Sequence, residues 1–250
     1  MSDEQLLDEI SINATASSVM QLVDGWLLRA SPDLPFRRCN CAIALADADI
    51  DSISVAEEFF ARRHQPVVVQ VRDDMVELDT QLSARGYALE AATDILVADA
   101  ATVVERAEHG TAILQLHDEL DDMSIAAYGD VMGDTPEMVD RIKAYGRMMR
   151  SLGPVAFGAT AKLDDVSSPV GVGFGVVERG WIGYYGVGTA QQVRRRGIGT
   201  DIMRVLTERG IELGADRAYL QVDHANDGAQ TLYAALGFTR AYGYHYRTRT

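Results

Sequence analysis

Hydrophobic positions along the chain switch repeatedly between a period near two and a period near 3.6, which predicts strands and helices in alternation from end to end. Val67-Val68-Val69-Gln70-Val71 begins just after Pro66 and is β-branched almost throughout, the pattern of a buried, parallel-type strand. Polar residues follow, then a helical pattern from about Val76 to Ala84 that stops before Gly86, then a strand from Tyr87 to Val97. Upstream, the periodicity predicts a helix near Ser17 to Val23, strands around Trp26 to Arg29 and Cys41 to Leu45, and a helix from Val55 to Arg63. Asp99 to Gly110 reads as a connecting helical stretch or linker, and places a domain boundary near residue 105, giving parts 1–105 and 106–250.

The second part repeats this logic at greater length. Leu116 to Tyr128 and Pro136 to Ser151 read as helices, the latter with Thr135 as its cap, Pro136 at the first helical position and Glu137 and Asp140 in the first turns. Val155 to Ala161, Pro169 to Val177 and Trp181 to Gly188 read as an antiparallel meander turning at Asp164-Asp165 and Arg179-Gly180. A basic, glycine-containing stretch precedes a helix from Thr200 to about Leu213. A strand from Ala218 to Val222, a helix from Asp227 to Leu236 and a strand pair within Phe238 to Arg249 complete an α+β chain built on one mixed α/β sheet.

An ungapped shift of 151 residues lays Val69-Gln70-Val71 on Leu220-Gln221-Val222 and Gly86-Tyr87 on Gly237-Phe238. Each half thus ends in strand, helix, Gly-aromatic, strand. The same shift sets Met75 opposite Asn226 and Leu82 opposite Tyr233, and nothing in the first half matches the arginine-glycine stretch. If the halves share a fold, the first lacks polar site residues and is structural.

Composition narrows the class. With 47% hydrophobic and 24% charged residues the chain can bury a core, no run reaches the length of a membrane span, and the acidic amino terminus is unlike a signal peptide; the expectation is a soluble, cytoplasmic protein with no membrane partner. Residues 1–110 carry 20 acids against 8 bases, residues 111–250 carry 17 against 15, and the whole chain is −14. Such a surface repels phosphate backbones, which argues against nucleic acid as a partner, and mildly attracts cationic or amine-bearing molecules. The two cysteines, Cys39 and Cys41, would point the same way on a strand and are too few for a disulfide scaffold or a structural zinc site. Reduced thiols are expected, and no metal.

The residues that carry chemistry fall in two groups. Arg194-Arg195-Arg196-Gly197-Ile198-Gly199-Thr200 lies between a predicted strand and a predicted helix. Glycines there let consecutive N–H groups converge, and the helix that follows adds the positive end of its dipole, so the turn can hold a pyrophosphate by main-chain donors while the arginines add charge. Its spacing is neither that of a P-loop nor of a dinucleotide fingerprint, and alone it also reads as a solvated loop. The second group is Leu220-Gln221-Val222 with Asn226, Ala229, Leu232-Tyr233 and Gly237-Phe238. Asn226 would start a helix that carries Tyr233 two turns later on the same face, though singly the pair also reads as a cap and a core aromatic.

In this order and separation, the two groups resemble the GCN5-related N-acetyltransferase superfamily over residues 112 to 250. Arg194 to Gly199 is similar to its Arg/Gln-x-x-Gly-x-Gly/Ala signature, Gly186-Val187-Gly188-Thr189 to the end of its fourth strand, and Asn226, Ala229, Tyr233 and Gly237-Phe238 to its strand-five to helix-four segment. The whole chain looks like the two-part members that open with a Gly-Trp-Leu-Leu-Arg segment, here Gly25 to Arg29, and carry a reduced first copy: a tandem with a degenerate structural domain at 1–105 and a catalytic domain at 106–250. The resemblance implies transfer of an acetyl group from acetyl-CoA to a primary amine of a small molecule, peptide or protein, by direct attack in a ternary complex. By carry-over, the main chain of Val187, Gly188 and Thr189 would pair with the pantetheine, the amides from Arg195 through Arg196, Gly197, Ile198 and Gly199 to Thr200 would hold the pyrophosphate beside Arg194, Asn226 would contact the cofactor arm, and Tyr233 would protonate the departing thiolate. A strand-four amide, that of Val187, would stabilise the oxyanion.

The general base departs from the family pattern. Many members carry a glutamate about thirteen residues before the signature arginine, and that position here is Trp181. Glu178, Asp223 and His224 are the nearby candidates, His224 having the most suitable ordinary pKa; each also fits a structural or solvated role, and a water chain or an amine of low pKa makes a base unnecessary. The acceptor is expected near Tyr128, Asp130, Met132, Asp134, Met138, Met148 and Met149. The missing glutamate motivates one alternative, a non-catalytic acyl-CoA-binding regulatory module; another is a pseudo-enzyme that serves only as an interaction protein. A homodimer is compatible with either reading.

Overall fold

Ser2 and Gln5 open the chain with a reciprocal cap: the Ser2 hydroxyl accepts from the Gln5 N–H and the Gln5 side chain accepts from the Ser2 N–H, launching helix α1 (Asp3–Ala14). The computed structural model describes residues 2–34, 36–45, 48–108, 110–166 and 168–250. The segment expected as a helix near Ser17 to Val23 is instead strand β1 (Val19–Val23), because Asp24 and Gly25 take left-handed backbone angles, φ 47° and 78°, and fold it back onto β2 (Trp26–Ala30) as a tight hairpin. Next come β3 (Ala42–Ala44), α2 (Ser54–Ala61), β4 (Val67–Arg72), α3 (Val76–Ala84), β5 (Ala88–Asp99) and α4 (Ala100–Arg106). Of the connecting stretch expected over Asp99 to Gly110, position 109 lies outside the described residues.

A second correction concerns Leu116. The helix expected from Leu116 to Tyr128 starts later, as α5 (Asp122–Met132), and Leu116 belongs to strand β6 (Ile113–His117), where the alternation Ile-Leu-Gln-Leu-His pairs antiparallel with β7. Asp121 sets the later start, since its carboxylate accepts from the Ser124 N–H at 2.8 Å. Helix α6 (Pro136–Ser151) begins where expected, with Thr135 accepting from the Met138 N–H. The meander forms as β7 (Ala156–Lys162), β8 (Gly171–Glu178) and β9 (Trp181–Thr189), with Arg179 and Gly180 left-handed at the last turn. Then follow α7 (Ile198–Glu212), β10 (Arg217–Asp223), α8 (Asp227–Ala235) and β11 (Thr239–Arg249), the last a single strand of 11 residues where a strand pair was expected.

The chain divides into two compact units, and a cut at residue 105 does not reproduce them. The larger holds Met1–Ala16, Ile95–Val222 and Asn226–Ala241; the smaller holds Ser17–Asp94, Asp223–Ala225 and Tyr242–Thr250. The physical reason is the course of the two strands that follow the repeated helices: β5 runs on into the larger unit as the neighbour of β10, and β11 joins the smaller unit as the antiparallel neighbour of β4. Within the larger unit the strand order is β5, β10, β9, β8, β7, β6, with β9 and β10 parallel and the meander antiparallel. Its core joins Phe157, Ile182, Tyr184, Ile202, Leu206, Leu220, Leu236 and Phe238. Three polar contacts fasten α1 to this unit: Arg217 to Asp3 at 2.6 Å, Arg179 to Glu9 at 2.8 Å, and the Asn13 amide to Glu178 at 2.8 Å.

In the smaller unit β1, β2, β3, β4 and β11 are successive neighbours, with β3 and β4 parallel. Trp26, Leu28, Phe59, Phe60, Val69, Val71 and Leu82 fill its own core. The shift of 151 residues is visible in three dimensions: α3 and α8 have nine residues each and start at 76 and 227, and the glycines that end them, Gly86 and Gly237, are both left-handed at φ 83° and 92°. No helix among the described residues is long and apolar enough to cross a membrane.

Candidate active site

Val187 to Thr189, Arg194 to Thr200, Asn226 and Tyr233 all lie in the larger unit. Parallel pairing of β9 with β10 runs from Trp181↔Arg217 to Tyr184↔Leu220 and stops there. Strand β9 continues for five more residues, Tyr185 to Thr189, past the end of this parallel register. On its other edge β9 bulges. Phe174 pairs with Tyr185 and Val172 with Gly188, so Gly173 alone spans the interval that Gly186 and Val187 fill. Gly186 takes φ +58°, which turns the following peptide out of the ladder.

Helix α5 covers this bulge. A β-carbon on Gly186 would lie 2.5 Å from Tyr128 Oη and 2.6 Å from its ring, and one on Gly188 would overlap Met132 Sδ. Tyr128 and Met132 are one helical turn apart, and Gly186 and Gly188 point to the same face of β9. The spacings match, about 6 Å along a helix for four residues and about 6.6 Å along a strand for two. Tyr128 is 1% exposed and rests on Phe174, centroids 4.7 Å apart.

The turn after β9 enters α7 through two left-handed residues, Arg195 at φ 67° and Gly197 at φ 78°. Gly197 is the N-cap and offers no side-chain cap, which leaves the first-turn N–H groups of α7 open to an anion. Buried Ile198 anchors the helix start while Arg194, Arg195 and Arg196 are exposed. Leu232 of α8 lies 3.2 Å from the place a β-carbon on Gly199 would occupy, so α8 runs beside the first turn of α7.

Asn226 caps α8, its carbonyl oxygen accepting from the Ala229 N–H at 3.1 Å. Two turns on, Tyr233 is 9% exposed against Phe238 and burial pushes its phenol up to about 12, so at neutral pH it holds its proton. Beside it on β9, Tyr184 is hydrogen-bonded to Thr207 at 2.6 Å and its phenol is also raised by burial. Tyr185 points to the opposite face and pairs with the Tyr219 hydroxyl at 2.6 Å.

The base candidates are placed elsewhere. Glu178 sits at the far turn of the β8–β9 hairpin, paired with Trp181, and accepts from Asn13 while Arg179 stands at 3.4 Å. Six residues of strand, about 20 Å, separate that position from Val187. His224 belongs to the smaller unit, where Nδ1 meets Asp94 Oδ2 at 2.9 Å and the main-chain N–H of His224 donates to the Ala92 carbonyl. The structure therefore gathers Val187 to Thr189, Arg194 to Thr200, Asn226 and Tyr233 onto neighbouring elements of one unit, and leaves Glu178 at the opposite end of β9. Sequence reasoning missed the bulge at Gly186; its signal was the Gly-x-Gly alternation inside a strand pattern.

A mixed sheet whose parallel pair parts midway, with a bulge on the free strand and a left-handed basic turn before the next helix, defines a GCN5-related N-acetyltransferase, an acyltransferase enzyme. The chain belongs to the family described as "Probable histone acetyltransferase Rv0428c C-terminal", whose model matches residues 5–248. A curated relative, the "Uncharacterized N-acetyltransferase YobR" of Bacillus subtilis (strain 168), is 25% identical over 252 residues and covers 100% of both chains. Among solved structures, a GCN5-related N-acetyltransferase from Kribbella flavida superposes with TM-score 0.69 at 16% identity, covering 98% of this chain and 94% of its own. A tandem GNAT protein from the clavulanic acid biosynthesis pathway gives TM-score 0.64 at 15% identity, covering 84% of this chain and 74% of its own.

Proposed function

We propose that the larger unit transfers the acetyl group of acetyl-CoA to a primary amine by direct attack, and that the smaller unit is a reduced copy with a structural role. The observation that carries this reading is the parting of β9 from β10 after Tyr184↔Leu220, which leaves a strand edge beside a basic helix N-terminus. The residues present fit acetyl-CoA. The edge of β9 that faces β10, past the end of the parallel ladder at Val187, Gly188 and Thr189, suits the amides of a pantetheine arm, and the N–H groups from Arg195 to Thr200 with three exposed guanidiniums suit a pyrophosphate. Asn226 keeps its amide N–H₂ for the arm, since only its oxygen is spent on capping Ala229.

The chemistry balances without a metal or a covalent enzyme intermediate. A neutral amine attacks the thioester carbonyl, the Val187 N–H stabilises the oxyanion, the carbon–sulfur bond breaks, and Tyr233 gives its proton to the departing thiolate. Water returns to Tyr233 the proton that the product nitrogen sheds. Glu178 has no part in this scheme, being held by Asn13 on α1, and His224 is assigned no step. The family's description supports an amine on a protein as one acceptor class, beside small amines.

Calorimetric titration with acetyl-CoA, followed by CoA release from a panel of amines, tests the reading. One site per chain is expected; two sites would overturn the structural role of the smaller unit, and none would overturn the assignment of the cleft. Tyr233→Phe is expected to lower kcat by about 100-fold, within the usual range for a positioned acid, with acetyl-CoA affinity within about threefold of the parent. Weaker binding with unchanged turnover at saturation would remove Tyr233 from the acid role.

A further inference from the structure

Between α5 and the bulge of β9 the structure shows a fit that the reaction scheme leaves unused. Tyr128 is 1% exposed, its ring lies on Phe174, and its phenolic tip occupies the space that a side chain at position 186 would need. Phe174 pairs with Tyr185, the last regular residue before the bulge, so one ring touches both the strand that bulges and the strand that does not. On the helix side Tyr128 is wedged against Tyr145 of α6, centroids 6.1 Å apart, which limits its retreat.

The bulge needs such a support. Glycine reaches φ +58° without strain but visits other conformations as readily, so packing around it decides which one is held, and the ladder on the β8 side has one residue facing two. Gly186 at φ +58° fixes the direction of the peptide that ends in the Val187 N–H. Resting on the acetyl-transfer reading above, we propose that Tyr128 is a positioning residue of the reaction: its ring, seated in the gap left by the absent side chain of Gly186, holds the bulge that aims the Val187 amide at the oxyanion. The bulk of the aromatic side chain, ring and phenolic tip together, fills the gap. Met132 repeats the arrangement one turn on, over Gly188, so the face of α5 that carries both residues is keyed to the glycines of β9.

The test compares Tyr128→Phe, Tyr128→Leu and Gly186→Ala in the full chain, reading kcat and acetyl-CoA affinity with the best amine of the panel. Tyr128→Phe keeps the ring and is expected to lower kcat by several-fold less than Tyr128→Leu does. Tyr128→Leu removes the ring and is expected to lower kcat by about 10- to 100-fold, somewhat less than loss of an oxyanion-hole donor outright, with acetyl-CoA affinity within about threefold, because the basic turn is untouched. Gly186→Ala drives a methyl into the ring tip and is expected to fall in the same range, and Gly186→Ala with Tyr128→Leu is expected to recover part of the loss, a coupling that independent damage does not give. Equal losses in Tyr128→Phe and Tyr128→Leu would overturn the proposal in favour of hydroxyl chemistry, and full activity in Gly186→Ala would overturn it outright. If Tyr128→Leu does not fold, Gly186→Ala and Tyr128→Phe decide. If the parent turns over no amine, the transfer reading itself has failed, and crystals of Tyr128→Leu still test the wedge: φ at Gly186 kept near +58° would overturn it.

Discussion

The two strand-to-helix crossovers that follow the parallel pattern, β9 to α7 in the larger unit and β3 to α2 in the smaller, have the same connectivity and opposite chemistry. Strand β9 has nine residues and outruns its parallel partner, whereas β3 has three and is paired on both sides, Ala42, Ile43 and Ala44 to β2 and Ala42 and Ile43 to β4. The first crossover carries Arg194, Arg195 and Arg196; the second carries Asp49 and Asp51, and Asp49 spends its carboxylate on the Asp51 N–H. A phosphate would be attracted to one and repelled by the other. The helices after the next strands differ in the same sense, with Asn226 capping α8 and Met75 at the start of α3 offering no side-chain cap. The two units share this frame, and on the proposed reading what separates them is strand length beyond the pairing, the sign of one turn, and one polar cap.

The largest effect that could break this comparison is at the matched positions 82 and 233. Leu82 is fully buried in the smaller unit's core, and Leu82→Ala is expected to lower its stability by about 2–5 kcal/mol through the cavity it leaves. A lowered Tm with unchanged kcat and acetyl-CoA affinity below the melting range is the expected pattern, whereas Tyr233→Phe is expected to lower kcat. Weaker binding by Leu82→Ala below its melting range would mean that the smaller unit contributes to the cofactor site.

The charge contrast is sharpened next. Replacing Arg194, Arg195 and Arg196 together by alanine is expected to weaken acetyl-CoA binding by about 100-fold at low salt, and less as ionic strength rises, since the lost contacts are charge-assisted and exposed. Asp49→Ala with Asp51→Ala is expected to leave affinity within about twofold. Equal affinity in the triple variant would place the pyrophosphate elsewhere.

How much of this was legible in the sequence depended on the range of the forces involved. Local signals served well: Pro136 after Thr135, the β-branched run at Val67 to Val71, and Gly86 and Gly237 ending their helices all stand where the pattern put them. The hairpin at Asp24-Gly25 and the cap at Ser2 and Gln5 were equally local, and there the apolar run Val19 to Val23 was given helical rather than strand period. The motif residues from Arg194 to Thr200 fall on a left-handed turn because glycine and charge at that spacing carry the information themselves. What could not be read was tertiary. The exchange of β5 and β11 between units depends on which edge each strand meets, and the seat of Tyr128 on Gly186 depends on the approach of a helix 58 residues away in sequence. Glu178 drew attention through proximity in sequence to β9, whereas a hairpin sends its turn to the far end of the strand.

The smallest effect concerns how β11 is fastened to the smaller unit. Arg247 clasps Asp79 of α3 with two hydrogen bonds, 2.7 and 2.8 Å, His245 reaches the same carboxylate at 2.5 Å, and Arg249 pairs with Glu57, whose carboxylate also accepts from Tyr87. The Arg247 hydrogen bonds hold the Asp79 carboxyl well below its ordinary value of 3.8, at about 2, with burial opposing and His245 assisting. A carboxylate with a depressed folded-state pKa stabilises the fold above its unfolded pKa, and that contribution is lost as pH falls from about 4 through about 2. Its size is roughly 2 kcal/mol for a site that is 28% exposed. Asp79→Asn is therefore expected to lower the stability of the smaller unit by about that amount at pH 7 and by little at pH 2, so that parent and variant melting curves converge on acidification. In the larger unit the position matched to Asp79 is Gln230, an amide that carries no titrating carboxyl. Gln230→Ala is expected to leave the acid limb of the melting curve unchanged, and an equal shift in both variants would show that the clasp does not distinguish the two copies.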